Sequence, residues 1–337
     1  MKLTICTLIA GIAAATAVQA SDTRVFGERI MMPVDGSSTI GAISADGSAV
    51  LGTSSADHLI SNDLNGSGLD TFLWNTVSTD YQLVNLDTSG AQSARPTLPV
   101  ALSADGKVAL LLDTYNGHKA LIYRSDSQSV EQLPFVKPKA ISGDGQLVAF
   151  VDTVDSKLYI HLYSLSTGER TRLPIRVSPS TDIALSMDGK FVAFTKETEA
   201  FRLNRETGQL IKIPFSVSTN VSLGGLSHDG NVIAYSAVNN GGWVYKFNSA
   251  QSEKLCVDSR AMALSGNGQF AVCDERNVQL VVKDLSSGKI NNIPTGAANF
   301  FALGGVSNAG TVVWGTTNPY AHYDTNGKSD LLITKFK

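Results

Sequence analysis

The stretch ISADGSAVLG, Ile43–Gly52, decides the fold because variants of it recur along the chain. Later copies are LSADGKVALL at 102, ISGDGQLVAF at 141, LSMDGKFVAF at 185, LSHDGNVIAY at 226, LSGNGQFAVC at 264 and a degraded VSNAGTVVWG at 306. Successive serines of the pattern stand 38 to 59 residues apart. They are Ser44, Ser103, Ser142, Ser186, Ser227, Ser265 and Ser307. A period in this range, built from short strands, is typical of a β-propeller blade.

Each unit contains four short apolar runs with alternating polarity. The first run ends in Ser and turns through Asp-Gly, which favours a hairpin because glycine adopts positive φ without a steric cost. A third run such as KLYIHLYSL (157–165) leads through a second glycine turn, STGER (166–170), to a fourth run such as TRLPI (171–175). The pattern predicts four antiparallel strands per unit.

The two ends of the chain complement each other. The last segment, SDLLITKFK (329–337), resembles a third strand without a fourth behind it, and VFGERIMMPV (25–34) has the pattern of a fourth strand. We therefore expect the N-terminal strand to complete the last blade, which removes exposed sheet edges. The predicted fold is all-β: a seven-bladed β-propeller that forms a single domain over residues 21–337.

The N-terminal segment predicts export. Lys2 precedes an apolar run (3–18), and Val18-Gln19-Ala20 is typical of a signal-peptide cleavage site. Residues 1–20 are interpreted as a signal peptide, so that the mature chain starts at Ser21 in the periplasm or outside the cell. A retained membrane anchor is the alternative, and no second apolar run is long enough to span a membrane.

Charge and cysteine content narrow the functions further. The net charge is −3 without a cluster of Lys and Arg, so a nucleic-acid partner is not expected. Two cysteines follow the signal peptide, Cys256 and Cys273. An even number in an oxidising compartment favours a disulfide, with two free buried thiols as the alternative.

The repeated core, Ser-x-Asp-Gly-x-x-[Val/Ile]-Ala-[Phe/Tyr], resembles the propeller repeats of TolB-type proteins, which are similar to WD-type repeats. The first unit, with ISADGSAVLG, TFLWN and LVNL, also resembles the repeats of bacterial extracellular HAF-type proteins. The resemblance implies an architecture and no particular function. TolB-type proteins carry a separate N-terminal domain and six blades, which this sequence does not predict, so their partners are not transferred to it.

Function is expected on one face of the propeller. The Asp-Gly turns, which become Asn-Gly and Ala-Gly in the last two units, are assigned to structure, whereas the loops of the opposite face vary. The longest are 52–70 and 315–330, which blade closure makes neighbours, with 87–99 and 113–119 beside them. The candidate binding residues on these loops are His58, Asp63, Asn65, Asp70, Arg95, Tyr115, His118, Tyr320, His322, Tyr323 and Asp324.

Metal binding and catalysis are less favoured. Asp63, Asn65 and Ser67 match the first half of a calcium loop, but Asp70 falls one position early for the next acidic ligand. Solvated turns are the preferred interpretation of this segment. The segments entering the first strands carry only three charged residues, Lys139, Asp182 and Arg260, so a carboxylate cluster at the channel is not expected.

The sequence thus favours a monomeric, non-catalytic binding or scaffolding module without a cofactor, whose partner is a protein or a cell-surface glycan. The alternative is a propeller hydrolase or lyase acting on a secreted polymer or small ester. A third interpretation is a structural component of an envelope complex. An enzyme predicts a deep polar pocket in the channel, whereas a binding module predicts a shallow face with exposed aromatic side chains.

Overall fold

The structure, a computed structural model, describes eleven stretches of the chain. These are residues 29–31, 38–56, 63–66, 68–93, 95–115, 117–215, 220–237, 240–275, 278–295, 300–316 and 330–336. Within them every regular element is a β-strand, and the strands form seven separate four-stranded antiparallel sheets. Each sheet is one blade, so the predicted all-β, seven-bladed propeller is confirmed. No helix in the described stretches is long and apolar enough to cross a membrane.

The strands follow one another through the first six blades in chain order. Blade one holds β2 (Ser38–Ile43), β3 (Ala49–Ser54), β4 (Asp70–Asn75) and β5 (Tyr81–Leu83). Blade two holds β6 (Thr97–Leu102), β7 (Val108–Asp113), β8 (Lys119–Arg124) and β9 (Ser129–Val136). Blade three holds β10 (Pro138–Ile141), β11 (Leu147–Val154), β12 (Lys157–Ser164) and β13 (Arg170–Arg176).

The second half of the ring repeats this order. Blade four holds β14 (Ile183–Leu185), β15 (Phe191–Lys196), β16 (Glu199–Asn204) and β17 (Leu210–Lys212). Blade five holds β18 (Val221–Leu226), β19 (Val232–Ala237), β20 (Gly241–Lys246) and β21 (Gln251–Cys256). Blade six holds β22 (Met262–Leu264), β23 (Phe270–Glu275), β24 (Gln279–Asp284) and β25 (Ile290–Pro294).

Blade seven joins the two ends of the chain. It consists of β26 (Phe300–Val306), β27 (Val312–Thr316), β28 (Asp330–Thr334) and the N-terminal strand β1 (Arg29–Met31). β1 pairs antiparallel with β28, with Ile30 opposite Ile333. This is the closure predicted from the sequence, and it gives β28 a partner on its outer edge.

The Ser-x-Asp-Gly motif, with Asn-Gly in blade six and Ala-Gly in blade seven, forms the turn between the first and second strands of each blade. In blade three, Ser142 Oγ donates to Asp144 Oδ1 at 2.5 Å and accepts from the Leu147 amide at 2.9 Å. Gly145 takes a φ of 70°, which a side chain would oppose. All seven serines of the repeat are fully buried. The motif is therefore a hydrogen-bonded structural turn, as expected.

The same turns join neighbouring blades into a ring around the channel. At six of the seven junctions a backbone amide in one turn donates to a carbonyl in the next, at 2.6 to 2.9 Å. The pairs are Ala45 to Ala104, Ala104 to Gly143, Asp144 to Met187, Met187 to His228, His228 to Gly266 and Asn308 to Ala45. At the seventh junction the amide of Asn267 donates to the side-chain oxygen of Asn308 at 2.8 Å.

The hydrophobic core lies between blades. Phe135 of blade two stacks on Phe150 of blade three with ring centroids 3.8 Å apart. Between blades four and five, the buried Arg202 lies against Phe247, with its guanidinium carbon 3.7 Å from the ring centroid. Its Nη1 donates to the carbonyl of Gly230 at 2.6 Å. Apolar packing thus joins neighbouring blades, and the buried Arg202 adds to it between blades four and five.

Candidate functional site on the loop face of blades one and two

The elaborated loop between β3 and β4 contacts the crossing from blade one to blade two. The Leu64 amide donates to Gln92 Oε1 at 2.7 Å, and Gln92 Nε2 donates to Asp63 Oδ1 at 2.8 Å. Two loops that are nearly thirty residues apart in sequence are therefore held together by one glutamine side chain. This juxtaposition was predicted from blade order, and the described parts of both loops have it.

Behind this contact lies a group of polar side chains, which we call the polar cluster. Its members are Asp63, Asn65, Asp70, Asn85 and Gln92. Three side-chain amides converge on the Asp70 carboxylate: Oδ1 lies 3.0 Å from Asn65 Nδ2, 3.1 Å from Asn85 Nδ2 and 3.3 Å from Gln92 Nε2. The cluster therefore draws side chains from the β3–β4 loop, the start of β4 and the crossing after β5.

Local backbone structure presents these side chains. The Asn65 amide donates to Asp63 Oδ1 at 2.9 Å, which forms an Asx turn, and Gly66 follows at a φ of 58°. Asn85 comes directly after the buried Val84, and its Nδ2 also donates to the Ser93 carbonyl at 2.9 Å. The turn and the crossing thus place both asparagine side chains within hydrogen-bonding distance of Asp70 Oδ1.

Burial of the cluster shifts the pKa of Asp70. Asp70 is 4% exposed and Asn85 is fully buried. Desolvation raises the pKa of Asp70, hydrogen bonds from Asn85, Gln92 and Asn65 lower it, and the charge of Asp63 raises it; the net pKa lies above the ordinary value. No Lys or Arg forms an ion pair with Asp63 or Asp70 among the residues that the structure describes.

Three oxygen atoms of the cluster are buried without a hydrogen-bond donor: Asp63 Oδ2, Asn65 Oδ1 and Asn85 Oδ1. Buried polar atoms are almost always paired, so three such oxygens in one cluster need an explanation. The described parts of the chain contain no group of three or more His, Cys, Asp or Glu arranged to hold a metal.

A second feature of this face is an exposed aromatic side chain. Tyr115, in the loop between β7 and β8, is 61% exposed, and the guanidinium of Arg95 lies over its ring at 5.8 Å from the centroid. His118 is also exposed and takes a φ of 61°, and its carbonyl accepts from the Lys137 amide at 2.8 Å. The structure thus brings Arg95 and Tyr115 together, as blade order predicts.

Other predicted residues of the sector cannot be placed. His58, Ser67, Tyr320, His322, Tyr323 and Asp324 lie outside the described residues. The contribution of blade seven to the binding face therefore stays a prediction from the sequence.

The central channel offers little polar chemistry at the end near the Asp-Gly turns. A cavity of about 230 Å³ is lined there by glycine and apolar side chains, and His228 is its one titratable residue. Burial lowers the pKa of His228 below its ordinary value, although the charge of Asp229 opposes the shift.

The opposite end, on the loop face, opens into a cavity of about 430 Å³ whose charged lining residues are Lys139 and Asp182. The Leu223 amide donates to Asp182 Oδ2 at 3.1 Å. Burial raises the pKa of Asp182, while this hydrogen bond and the charge of Lys139 lower it; the net pKa is above the ordinary value. Arg260, the third charged residue predicted near the channel, lines neither cavity.

The two cysteines lie on adjacent blades, away from these features. Cys256 ends β21 in blade five, and Cys273 lies within β23 in blade six. The structure joins them by a disulfide with Cα atoms 6.4 Å apart, within the usual range for such a bond. The bond connects two blades, and both of its cysteines are buried.

Sequence reasoning missed two residues of the polar cluster, Asn85 and Gln92. A signal for Asn85 exists: the fourth run of several units ends in an apolar residue followed by Pro, whereas blade one has Val84-Asn85. The prolines at this position are Pro134, Pro174, Pro214 and Pro294. An amide side chain in place of a repeated Pro is a visible departure from the pattern, but no comparable signal points to Gln92.

Comparison of the sequence with known protein families gives no match, and comparison with curated proteins gives no significant similarity. The fold is similar to that of solved propellers. TolB from Acinetobacter baumannii aligns with a TM-score of 0.51 and 20% identity over 67% of this chain. The chain spans only 59% of the length of that protein.

Two oligogalacturonate lyases align over more of the chain. One, solved in complex with manganese, has a TM-score of 0.63 and 11% identity over 93% of this chain and 98% of its own. The enzyme from Vibrio parahaemolyticus has a TM-score of 0.61 and 12% identity over 92% and 98%. At these identities the similarity establishes a TolB-like propeller fold and carries no function with it.

Proposed function

We propose that the protein is an exported, monomeric, non-catalytic β-propeller that binds a protein or a cell-surface glycan through the loop face of blades one and two, with blade seven beside them. The observation that carries the proposal is the Arg95–Tyr115 pair, because Tyr115 is exposed and held by a cation above its ring. Tyrosine and arginine are enriched among the residues that dominate binding energy, and aromatic faces also stack on sugar rings.

The channel supports the same proposal. Its turn-side end is lined mainly by glycine and apolar side chains, so His228 is the one titratable side chain there that could act on a substrate. The Asp-Gly turns are committed to the ring of hydrogen bonds. The variable loops therefore remain the part of the propeller best suited to a partner.

Capture by immobilised protein tests the proposal. The wild-type mature chain, Tyr115→Ala and a control, Lys196→Ala, are incubated with envelope proteins and with purified cell-surface polysaccharide. Lys196 is exposed at the corresponding loop of blade four, two blades away from Tyr115. We expect wild type and the control to retain the same partner and Tyr115→Ala to lose at least tenfold in affinity. Equal retention by all three would contradict the proposal.

Export itself rests on the sequence of residues 1–20 and is tested separately. N-terminal sequencing of the protein from the periplasm and medium of a Gram-negative host should give Ser21 as the first residue. Recovery of the intact chain from the membrane fraction would favour the anchor alternative.

The second candidate is a propeller hydrolase or lyase acting on a secreted polymer or small ester. The observation on its side is the pair of Lys139 and Asp182 at the loop-face opening of the channel, since burial holds the pKa of Asp182 above its ordinary value. A carboxyl group of this kind suits general acid–base catalysis. Turnover of acidic oligosaccharides or model esters that Asp182→Asn abolishes would favour this candidate over the binding module.

A further inference from the structure

We propose that the loop-face end of blade two docks a polypeptide segment in which an apolar side chain is flanked by Asp or Glu. This inference rests on the proposed binding function and names its partner as a protein. We call the surface the blade-two patch. It consists of three exposed apolar side chains and three lysines: Leu98, Tyr115, Val136, Lys119, Lys137 and Lys139.

The first argument is the exposed apolar area. Tyr115 is 61% exposed, and Leu98 and Val136 are each 39% exposed. Exposed apolar side chains that stand singly need no explanation, whereas a group of them marks an interaction site. Leu98 and Val136 are aliphatic, so covering them with another apolar side chain stabilises a complex. A sugar would place hydroxyl groups against the same surface without hydrogen-bonding partners, so the aliphatic residues favour a protein over a glycan.

The order of the strands brings these side chains together. Leu98 is the second residue of β6 and Val136 is the last residue of β9, so both lie at the loop-face end of the sheet. Tyr115 belongs to the turn that joins β7 to β8, where its amide donates to Asp113 Oδ1 at 2.9 Å. Neighbouring strands lie about 4.8 Å apart, so Leu98 and Val136, three strands apart, are separated by about 15 Å. A single short peptide segment can reach all three apolar side chains.

The second argument is the positive charge beside these side chains. Lys119 lies opposite Val136 in the ladder between β8 and β9, Lys137 follows Val136 in the chain, and Lys139 lies in β10. Lys119 Nζ donates to Gln132 Oε1 at 3.0 Å and Lys139 Nζ to a backbone carbonyl at 3.1 Å, so both are bound to neutral groups. In the stretches that the structure describes, no carboxylate forms an ion pair with any of the three lysines. Acidic side chains of a partner can therefore pair with them.

The balance of charge at this end of the blade is positive. The segments that form it, 95–98, 113–119 and 136–139, contain the three lysines and Arg95 against one carboxylate, that of Asp113. These cations are far apart in the sequence, and the fold of blade two brings them to one end of one sheet. An apolar centre with a charged rim is the usual composition of a protein interface. The cationic rim selects an acidic partner.

The loops of the patch are fixed before a partner binds. The Lys137 amide donates to the His118 carbonyl at 2.8 Å, which joins the crossing to blade three to the turn between β7 and β8. His118 and Lys137 take φ angles of 61° and 54°, a conformation that residues with a side chain rarely adopt. Such residues persist where the surrounding structure holds them, and a surface held in this way loses little conformational entropy on binding.

Blade four shows that the patch is not a general property of the repeat. At the corresponding end of that blade Lys212 forms an ion pair with Glu199, and Lys196 is followed directly by Glu197. Among the described residues of that end, no large apolar side chain is exposed. Blade four therefore provides a control surface with balanced charge.

Selection of a displayed library of random linear peptides on the immobilised mature chain tests the inference, with the affinity of each enriched peptide measured by fluorescence anisotropy. We expect enriched peptides to carry Asp or Glu on both sides of a large apolar residue. Because the lysines contribute through charge, raising NaCl from about 50 to about 500 mM should weaken binding at least fivefold.

Variants separate the charged and the apolar contributions. The double variant Lys119→Glu/Lys137→Glu should bind the enriched peptides at least tenfold more weakly, and Val136→Ser at least threefold more weakly. Lys196→Glu is the matched control, since it reverses the charge of an exposed lysine on blade four, and it should bind as wild type does. Thermal unfolding of each variant shows that a loss of binding is not a loss of folding.

Several outcomes would overturn the inference. They are selection that enriches no peptide, enriched peptides without acidic residues, and equal binding by wild type and the double variant. Alginate, phosphatidylglycerol vesicles and a second copy of the chain are the competing occupants, measured by anisotropy, vesicle sedimentation and light scattering. Binding of any of these through Lys119 and Lys137, without an enriched peptide, would also overturn it.

Capture from the envelope fraction distinguishes this inference from the proposed function. A captured polysaccharide, or a captured protein that Tyr115→Ala releases and Lys119→Glu/Lys137→Glu does not, would overturn the acidic-peptide inference and leave the proposed binding face intact. Retention of no partner by the wild type would overturn both.

Discussion

The amide of Asn308 donates to the carbonyl oxygen of Ala45 at 2.7 Å, across the junction where the last blade meets the first. The side chain of Asn308 accepts from the Asn267 amide at 2.8 Å, so this one residue closes two of the seven junctions. Asn308 stands in the degraded copy of the repeat, where Asp is absent from the turn. At the junction of blades six and seven its side-chain oxygen is the acceptor, whereas a backbone carbonyl is the acceptor at the other six junctions.

Replacing Asn308 by Ala should remove the hydrogen bond from the Asn267 amide at the junction between blades six and seven, because its acceptor is the side chain. The two bonds that use the Asn308 backbone, its carbonyl to Asn267 Nδ2 at 3.2 Å and its amide to the Ala45 carbonyl, should stay. We expect the free energy of unfolding to fall by about 1 kcal/mol, the usual net value of one hydrogen bond. Urea denaturation measures the loss. The exposed Asn292 in β25 provides the control, and Asn292→Ala should be neutral. Equal midpoints for the two variants would contradict this role for Asn308.

Removing β1 should open the ring. A mature chain that begins at residue 36 lacks the partner of β28, whose outer edge then offers unpaired backbone groups to other molecules. We expect a lower Tm and concentration-dependent association, measured by light scattering. A truncated chain that is as stable and as monomeric as the full mature chain would argue that β1 contributes nothing to closure.

Gly208 and Gly230 have the same φ but different surroundings, so substituting each by Ala separates the cost of backbone strain from the cost of a steric clash. Gly208 and Gly230 both take a φ of 72°, but a Cβ at Gly208 would meet open space, whereas one at Gly230 would meet the Phe191 ring of the preceding blade. Gly208→Ala should cost about 1–2 kcal/mol through the backbone alone. Gly230→Ala should cost clearly more, because it adds a clash between blades. Similar losses of stability would show that the interface tolerates the methyl group.

The disulfide should stabilise the junction between blades five and six. Closing a loop with a sequence separation of 17 contributes roughly 3 kcal/mol in the chain-entropy model. The free energy of unfolding of the double variant Cys256→Ser/Cys273→Ser, measured by urea denaturation, should therefore be lower by roughly that amount. Mass spectrometry after alkylation of the unreduced mature chain should find no modified cysteine. Two alkylated thiols would contradict the bond, and prior reduction is the control that both sites react.

The repeat made the fold predictable, because a hairpin turn that recurs at the spacing of propeller blades is compatible with few architectures. The pairing of the N-terminal strand was predictable because the last unit lacks a fourth strand of its own. The ring of hydrogen bonds was not predictable, since it joins backbone groups such as those of Ala45 and Ala104, whose side chains give no indication of the contact. Only part of the polar cluster could be predicted from the sequence. Asp63 and Asn65 stand in a recognisable spacing, but Asn85 and Gln92 reach them through the tertiary fold.

The most direct test of the binding face is hydrogen–deuterium exchange of the mature protein with and without the partner captured from the envelope fraction. We expect protection at residues 63–66, 85–95 and 113–118, and none at the β15–β16 loop of blade four. Protection confined to the channel opening around Lys139 and Asp182 would contradict the loop-face assignment and favour the enzyme.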